Sequence, residues 1–331
     1  VSDPPTAEDK DKLSQREAQA IQALRVCLKK LGVPRSPERP TAYYALLLAD
    51  GDFMGRAIDL LGESPGARAH HATLAKALDE GFSPACREIV EHHGGSLIYA
   101  GGDDVLALLP LHSALACARK LHDHFEQSVV KATALFPIED PHKQREKVTP
   151  TLSVGIAIAH HLELLHDVRK RAKDAESIAK SMPGKDALAI VASKRSGGDI
   201  TVRGYWRHAP DVRLVTLAGL LRDGALPDGV AWHLEEVLAP FTKDAHGRYT
   251  VHADVVERLT ARVLQRRRAE GGEGLVESVR TLLEDGIEQS KALYPQHPND
   301  AVAKAVLSLS EEVQMARMFL TAWTDAWGKA L

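Results

Sequence analysis

A seven-residue apolar run, Tyr43–Ala49, restricts the fold of this chain more than any other sequence feature. A run of strand length without polar alternation is typical of a β-strand that is covered on both faces. The run is followed at once by Asp50-Gly51-Asp52. We therefore expect a buried central strand that carries acidic side chains at its carboxyl end.

A second acidic sequence lies between two further apolar runs. Ser96–Ala100 and Val105–Leu109 flank Gly101-Gly102-Asp103-Asp104. Two short strands around a turn of glycine and aspartate predict a β-hairpin with the acidic residues at its tip. Either acidic sequence alone is common in solvated turns, so the functional signal lies in the combination of the two.

The order of the predicted elements specifies the fold class. Strand 43–49 is followed by helices, the hairpin, another helix, strand 151–159, helix 167–181 and strand 187–191. This order predicts an α+β domain, built on a split β-α-β-β-α-β, ferredoxin-like sheet with helices on one face and one added strand.

Two breaks in the pattern divide the chain into three parts. Residues 1–40 contain one predicted helix, Leu13–Leu31, and a linker whose glycine and prolines end that helix. Residues 41–204 form the mixed domain. Residues 205–331 contain all four tryptophans and have helical periodicity over 252–270, 274–293 and 299–327. We predict that this last part is an all-α domain.

Composition limits the class of protein. A net charge of −3 gives no overall attraction to nucleic acid. The three cysteines lie far apart, which excludes a disulfide scaffold and a structural zinc cage and favours a reducing compartment.

The longest apolar runs are much shorter than the roughly 20 residues of a membrane span, and the polar N-terminus is unlike a signal peptide. We expect a cytoplasmic protein with no membrane partner.

The two acidic sequences together predict a divalent metal site. In a sheet of this topology the carboxyl end of the first strand lies beside the tip of the middle hairpin, so Asp50 and Asp52 converge with Asp103 and Asp104. Grouped carboxylates supply the hard oxygen ligands that Mg²⁺ or Mn²⁺ requires. Without a cation they would repel one another and raise one another's pKa.

A phosphate site is predicted beside the metal site. Phe53-Met54-Gly55 opens a helix, and the free N–H groups and positive dipole end of a helix attract phosphate oxygens. Gly101 and Gly102 let the hairpin backbone come close to a phosphate. Lys180 and Lys185 are placed to reach a triphosphate across the cleft, although solvated lysines at a helix end fit the same pattern. Metal and phosphate together indicate phosphoryl or nucleotidyl transfer on a nucleoside triphosphate.

Four ordered motifs carry a family resemblance: Leu48-Ala49-Asp50-Gly51-Asp52-Phe53-Met54-Gly55, Tyr99-Ala100-Gly101-Gly102-Asp103-Asp104, Ser153-Val154-Gly155-Ile156-Ala157-Ile158-Ala159-His160, and Ala179-Lys180 with Pro183-Gly184-Lys185. They resemble the second palm domain of the large polymerase/cyclase subunit of type III CRISPR effector complexes, most closely the Cmr branch. The resemblance covers residues 41–193. Residues 205–331 resemble the C-terminal helical domain of the same family.

The resemblance implies that the protein makes cyclic oligoadenylates from ATP with Mg²⁺ or Mn²⁺ when target RNA pairs with the guide RNA. It implies catalytic carboxylates at Asp50, Asp103 and Asp104, with metal bound by these residues and by the Gly51 carbonyl. It implies nucleotide binding by the residues around them: Asp52, Phe53, Met54, Gly55, Gly101, Gly102, Lys180 and Lys185. The implied partners are ATP, guide RNA, target RNA and the other effector subunits.

Two alternatives remain open. Diguanylate cyclases and class III nucleotidyl cyclases share this palm, so a GGDEF-like dinucleotide or mononucleotide cyclase that acts as a homodimer is one of them. A non-catalytic subunit that only docks neighbours and RNA is the other.

Residues 1–40 are too few for the HD nuclease, first palm domain and zinc site of whole family members, so we expect this chain alone to bind ATP and make little product. His122-Asp123 and His166-Asp167 have no clustered ligands, and we interpret both as structural or exposed.

Overall fold

A six-stranded mixed sheet forms the centre of the molecule. The computed structural model describes residues 41–63, 66–134, 139–140, 146–193, 198–227, 229–266 and 273–327. The strands are β1 (Tyr43–Asp52), β2 (Ser96–Gly101), β3 (Asp104–Pro110), β4 (Thr151–His160), β5 (Ala187–Ala192) and β6 (Ile200–Tyr205). Their order across the sheet is β2-β3-β1-β4-β5-β6. β4 and β5 are parallel, and the other neighbours are antiparallel.

Ten longer helices surround this sheet in the described part of the chain. They are α1 (Met54–Gly62), α2 (Ala67–Lys76), α3 (Ser83–His92), α4 (Ala114–Phe125), α5 (Leu165–Ser181), α6 (Pro210–Arg222), α7 (Val230–Leu238), α8 (Ala253–Arg266), α9 (Glu273–Leu293) and α10 (Pro298–Trp327). Shorter elements are the helical turns Ala77–Phe82, Leu111–Ser113, Glu126–Val130, Lys131–Thr133 and Trp206–His208 and the paired strands Glu139–Asp140 and Glu146–Lys147. No helix within the described ranges has the length and apolar character that crossing a membrane requires.

β1 is the central strand of the ferredoxin-like arrangement. It lies between β3 and β4, and this position explains its unbroken apolar sequence. Ala45 and Leu47 pack on one face and Leu46 on the other, all at most 1% exposed. Burial of each leucine contributes about 2 kcal/mol. The strand extends to Asp52, which pairs with Thr151, so the first acidic sequence lies within the strand rather than after it.

The first face of the sheet is covered by α1, α3 and α4. Leu61, Val90 and Leu121 of these helices belong to one apolar cluster with Ala45 and Leu47. The α+β class and the order of the sheet therefore agree with the sequence prediction.

The opposite face is covered by α5, so the prediction that all helices lie on one face is wrong. Val168 and Ala172 of α5 pack against Leu46 of β1. α5 also comes very close to β4, because a Cβ added to Gly155 would overlap the backbone of Glu176. A glycine at this position of β4 is what permits the close approach of helix and strand.

The sheet continues one strand beyond the predicted strand 187–191. β6 pairs antiparallel with β5, and its side chains alternate: Ile200 and Val202 are buried, whereas Arg203 is exposed. The predicted domain boundary at residue 204 therefore falls inside this strand.

Residues after β6 are helical, as expected. α8, α9 and α10 correspond to the predicted helices 252–270, 274–293 and 299–327, and residues 267–272 lie outside the described residues, as does the predicted helix Leu13–Leu31. α6 and α7 were not predicted. These helices share an apolar cluster with the sheet, and Nε1 of Trp323 in α10 donates a hydrogen bond to the His112 carbonyl at 2.6 Å. The helical part thus packs directly on the mixed domain.

Candidate active site

The two acidic sequences meet at one end of the sheet. An ideal Cβ added to Gly51 would lie 2.5 Å from Oδ2 and 2.8 Å from Cβ of Asp103. The Asp103 side chain therefore lies directly against the backbone of Gly51, between Asp50 and Asp52. Only glycine leaves room for it there.

The geometry of the hairpin explains how Asp103 reaches this position. Gly101 pairs with Asp104, which leaves Gly102 and Asp103 as a two-residue turn. Gly102 has φ +64°, as the first residue of a type II′ turn requires. Oγ of Ser83, the first residue of α3, donates a hydrogen bond to the Gly102 carbonyl at 3.0 Å. The turn is thus fixed to the helix behind it.

The two hairpin carboxyl groups, those of Asp103 and Asp104, have raised pKa values. Burial raises the pKa of Asp103, and the carboxylates of Asp50 and Asp104 raise it further, whereas its own backbone N–H and the ammonium of Lys180 lower it. Burial and the Asp50 carboxylate likewise raise the pKa of Asp104, against the lowering effect of Lys180 and Lys173. Mutual effects of this kind arise between negative charges that share one site.

Lys180, near the end of α5, supplies a positive charge to this group. Its ammonium lies 2.6 Å from Oδ2 of Asp50, 3.4 Å from the Gly51 carbonyl oxygen and 3.6 Å from Oε1 of Glu176. Lys180, which the sequence predicts to reach a triphosphate across the cleft, thus contacts the end of β1 in the structure. Asp50 and Gly51 are also the residues to which the family resemblance assigns a metal.

Glu176 is a charged residue of the site that sequence reasoning missed. It is 2% exposed and forms ion pairs with Lys180 and with Lys173, whose ammonium lies 2.5 Å from its Oε2. The spacing of these three residues along α5, i to i+3 and i+4, is the sequence signal that could have identified the cluster.

The start of α1 lies beside the acidic group. Phe53 precedes the helix with φ +59°, and Ala57 N–H donates the first helical hydrogen bond to its carbonyl. The N–H groups of Met54 and Gly55 come before that bond and have no acceptor within the helix. Gly55 is exposed, and a Cβ added to it would have open space around it. This end of α1 can therefore accept an anionic ligand.

Lys185 contacts the same helix start from the loop after α5. Its ammonium lies 4.5 Å from the centroid of the Phe53 ring, a cation–π contact. Lys185 is therefore held next to the N-terminus of α1.

Asp52 does not fit its assignment as a nucleotide-binding residue. It is 0% exposed, and its Oδ2 accepts hydrogen bonds from the hydroxyls of Thr151 at 2.8 Å and Ser153 at 2.7 Å. The pairing of β1 with β4 places both hydroxyls next to it. The carboxylate is thus used inside the protein rather than presented to the cleft.

The donor set suits a hard divalent cation that keeps further ligands of its own. No group of three or more His, Cys, Asp or Glu residues in the described part of the chain could hold a metal ion by itself. Mg²⁺ is commonly bound through one or two carboxylates together with waters and substrate phosphates. Asp50, Asp103, Asp104 and the Gly51 carbonyl carry oxygen atoms of this kind at the same end of the sheet.

The chain has recognisable relatives. Residues 43–189 match the family model of the Cas10/Cmr2 second palm domain. The chain is 34% identical over 205 residues to the CRISPR system Cmr subunit Cmr2 of Pyrococcus furiosus, an alignment that covers 55% of this chain and 21% of that protein. It is 33% identical over 96 residues to the CMR subunit Cmr2 of Saccharolobus solfataricus, covering 29% and 8%. The chain spans about a fifth of the first relative and less of the second.

Two CRISPR assemblies are among the solved structures to which this chain is similar. The type III-B Cmr-beta complex bound to cognate target RNA matches with 14% identity and a TM-score of 0.46, over 71% of this chain and 36% of that chain. The Csm1-Csm4 cassette in complex with AMPPNP matches with 18% identity and a TM-score of 0.45, over 83% and 37%. The family match and the four ordered motifs show that residues 43–189 are similar to the second palm domain of Cas10/Cmr2 proteins.

Proposed function

We propose that this palm binds ATP with Mg²⁺ or Mn²⁺ and makes cyclic oligoadenylates, as the nucleotidyltransferase of a type III CRISPR effector complex. The observation that carries the proposal is the contact of the Asp103 side chain with the backbone of Gly51. It brings acidic residues of two distant sequences to one point. Nucleotidyl transfer depends mainly on positioning and on neutralisation of phosphate charge, for which such a point is suited.

Asp50, Asp103 and the Gly51 carbonyl are the groups that would hold the metal, with Asp104 beside them. A metal bound there would neutralise triphosphate charge and polarise the phosphorus that is attacked. The contact of the Lys180 ammonium with Asp50 and Gly51 supports this assignment, because the same two oxygen atoms already accommodate a positive charge.

The neighbouring groups would bind and orient the triphosphate. The N–H groups of Met54 and Gly55 can donate to phosphate oxygens, and the positive end of α1 favours their negative charge. Lys185, over the ring of Phe53, adds a cation at the same helix end. These groups would hold the substrate beside the carboxylates.

Other effector subunits, guide RNA and target RNA are the partners that fit this function. The curated relatives are themselves named as subunits of Cmr systems, which supports the assembly partners. A net charge of −3 gives the chain no general affinity for nucleic acid, so RNA contacts would be local or shared with other subunits.

Calorimetric titration of the 331-residue chain with ATP tests the binding half of the proposal. We expect binding with Mg²⁺ or Mn²⁺ and its loss in EDTA. The double variant Asp103→Ala with Asp104→Ala should abolish binding, whereas Asp254→Ala, at a 63% exposed carboxylate on α8, should leave it unchanged. Unchanged binding in the double variant would rule out this site.

Mass spectrometry of the products made from ATP, with the chain in its full complex and target RNA present, tests the reaction. Cyclic oligoadenylates that disappear in the double variant would support the proposal. A guanine-containing or mononucleotide ring formed without RNA would point to the GGDEF-like cyclase. Normal target cleavage without any nucleotide product would point to the non-catalytic docking subunit.

A further inference from the structure

The loop Met182–Asp186, between α5 and β5, carries Lys185 to the start of α1. Three consecutive residues of this loop have left-handed backbone: Gly184 at φ +81°, Lys185 at +56° and Asp186 at +52°. Residues other than glycine adopt this conformation at a steric cost, and they keep it only where surrounding contacts hold them. The contacts that hold Lys185 and Asp186 therefore decide where the lysine points.

Asp186 is held from three directions. Its N–H donates to Oδ2 of Asp52 at 3.1 Å, and its carbonyl accepts from the N–H of Trp206 at 3.0 Å. Its Oδ1 lies 2.8 Å from Nε2 of His122 in α4. At the other end of the loop, the Tyr205 hydroxyl donates to the Pro183 carbonyl at 2.9 Å. The loop is thus fastened to β1, α4 and the end of β6.

Asp52 is the only one of these anchors that also belongs to the acidic end of β1. Its Oδ2 accepts the Asp186 N–H and the hydroxyls of Thr151 and Ser153, while Oδ1 has no hydrogen-bond partner among the described residues. The next residue along the chain is Phe53, whose ring lies under the Lys185 ammonium. One buried carboxylate thus connects the two sides of the Phe53–Lys185 contact.

We propose that Asp52 is a positioning residue, which ties the end of β1 to Asp186 and thereby holds Lys185 over Phe53 at the start of α1. It binds neither metal nor nucleotide directly. The expected effect on ATP binding rests on the proposed function, whereas the placement of Lys185 is a property of this chain alone. His122 supports this arrangement through its contact with Asp186. This contact gives a role to a histidine that the sequence analysis interprets as structural or exposed.

A positioning role predicts that Asp52→Asn and Asp52→Ala have different effects on the loop. Asparagine keeps a carbonyl oxygen that accepts the same three donors, and its amide nitrogen takes the place of the unpartnered Oδ1. Alanine keeps no acceptor, so the Asp186 N–H and the two β4 hydroxyls lose their shared partner. A metal-binding role would make the two substitutions similarly damaging, because a neutral amide is a poor substitute for a carboxylate ligand of Mg²⁺.

NMR of the full chain with ¹³C-dimethylated lysines reads the position of Lys185 directly. Methyl protons over an aromatic face are shifted upfield, and Lys185→Arg assigns the signal by its loss, while Phe53→Leu returns it to the ordinary lysine position. We expect Asp52→Ala to abolish the upfield shift and Asp52→Asn to keep most of it. An unchanged shift in a folded Asp52→Ala chain would overturn the proposal.

Ser153→Ala and His122→Gln provide variants that change the surroundings less. Ser153→Ala removes a hydrogen bond to Asp52, and His122→Gln alters the contact with Asp186. We therefore expect a partial loss of the upfield shift in Ser153→Ala and a smaller loss in His122→Gln. If Asp52→Ala does not fold, an unchanged shift in both of these folded variants overturns the proposal instead.

ATP titration with Mn²⁺ then connects position to function. We expect Asp52→Ala and Lys185→Gln each to weaken binding roughly five- to tenfold, and Asp52→Asn to stay within about twofold of the unmodified chain. In turnover assays of the full complex, the loss should fall on KM for ATP more than on kcat, since the carboxylates that hold the metal are untouched.

The two proposals fail in distinguishable ways. Equal loss of Mn²⁺-dependent ATP binding in Asp52→Asn and Asp52→Ala would make Asp52 a ligand and overturn the positioning role. Absence of any ATP binding by the unmodified chain and by its full complex would defeat the proposed function, while the lysine methyl shift would still decide whether Asp52 positions Lys185.

Discussion

The ammonium of Lys180 lies 2.6 Å from Oδ2 of Asp50, and the side chains are 21% and 28% exposed. The contact joins the end of α5 to the end of β1, across the group of carboxylates. The lysine also lies 3.4 Å from the Gly51 carbonyl oxygen. Under the proposed function a divalent cation uses these same two oxygen atoms. The lysine and the metal are then competitors for one place.

Removal of this ammonium should therefore change metal and nucleotide binding in opposite directions. In Lys180→Met we expect Mn²⁺ alone to bind roughly threefold tighter, because a partly exposed ion pair contributes about 1 kcal/mol or less and no longer opposes the metal. ATP with Mn²⁺ should bind more weakly, since a cation near the triphosphate is lost. Electron paramagnetic resonance of free Mn²⁺ measures the first and calorimetry the second.

Lys170→Met is the matched control for this prediction. Lys170 is an exposed lysine on the same helix, and its loss changes the net charge equally. Both affinities should stay unchanged in it. Weaker Mn²⁺ binding in Lys180→Met would contradict competition and would mean that the lysine supports the metal site.

The acidic site could be predicted from sequence because its parts lie at the ends of unbroken apolar runs. Tyr43–Ala49 specified a central strand, and the hairpin order placed Asp103 beside it. The role of Asp52 could not be predicted, since its partners come from β4 and from the backbone of Asp186, far away along the chain. Strand alternation even assigns Asp50 and Asp52 to one face, although in the described part of the chain only Asp50 of the two forms an ion pair with Lys180.

The position of α5 shows a limit of topological rules. α4 connects β3 to β4, and α5 connects β4 to β5. The three strands are parallel to one another, and both connections lead in the same direction across the sheet. The two helices nevertheless pack on opposite faces, so the two crossovers have opposite hands. The strong preference for right-handed crossovers predicts one common face. The strand β6, by contrast, has a signal in the sequence, because buried Ile200 and Val202 alternate with less buried residues.

The described cysteines should be chemically inert in the folded chain. Burial raises the pKa of Cys86 and of Cys117 to about 12 each, and the thiolate is the reactive form. In a Cys27→Ser variant, these two thiols should react with Ellman's reagent at pH 8 about a hundredfold more slowly than free cysteine. In guanidinium chloride both should react at the ordinary rate. Rapid modification of the folded variant would show that the core around α3 and α4 opens readily.

Glu311 should make the stability of the chain depend on pH near neutrality. It lies on α10 beside β6, and burial raises its pKa to about 7, with Glu235 and Glu312 acting in the same direction. The folded chain therefore binds this proton more tightly than the unfolded chain does. The stability that it contributes is present below the ordinary pKa of 4.5 and is lost as pH rises through about 7. Glu311→Gln cannot ionise and should escape this loss.

The measurement is the difference in Tm between Glu311→Gln and the unmodified chain at several pH values. We expect the difference to become more positive between pH 5 and pH 8. Glu284→Gln, at a 60% exposed carboxylate on α9, controls for the loss of one negative charge. A constant difference across this range would show that Glu311 does not carry the effect.

Gly51→Ala should damage the candidate active site directly, because the added methyl group overlaps the side chain of Asp103. The new Cβ would lie 2.5 Å from Oδ2 of Asp103 and 2.7 Å from Cγ of Met54, so both side chains must move. Overpacking of this kind costs about 1–3 kcal/mol of unfolding free energy. Displacement of Asp103 should also remove ATP binding that depends on Mn²⁺, even at temperatures where the variant is folded.

Gly219→Ala in α6 is the control that separates these two effects from the mere addition of a methyl group. Nothing lies within 4 Å of a Cβ added there, so alanine should leave ATP binding unchanged and raise stability by about 0.5–1 kcal/mol. Denaturant unfolding and ATP titration of both variants provide the comparison. If Gly51→Ala bound ATP normally, Asp103 would not need its place against the β1 backbone, and the acidic sequences would not act as one site.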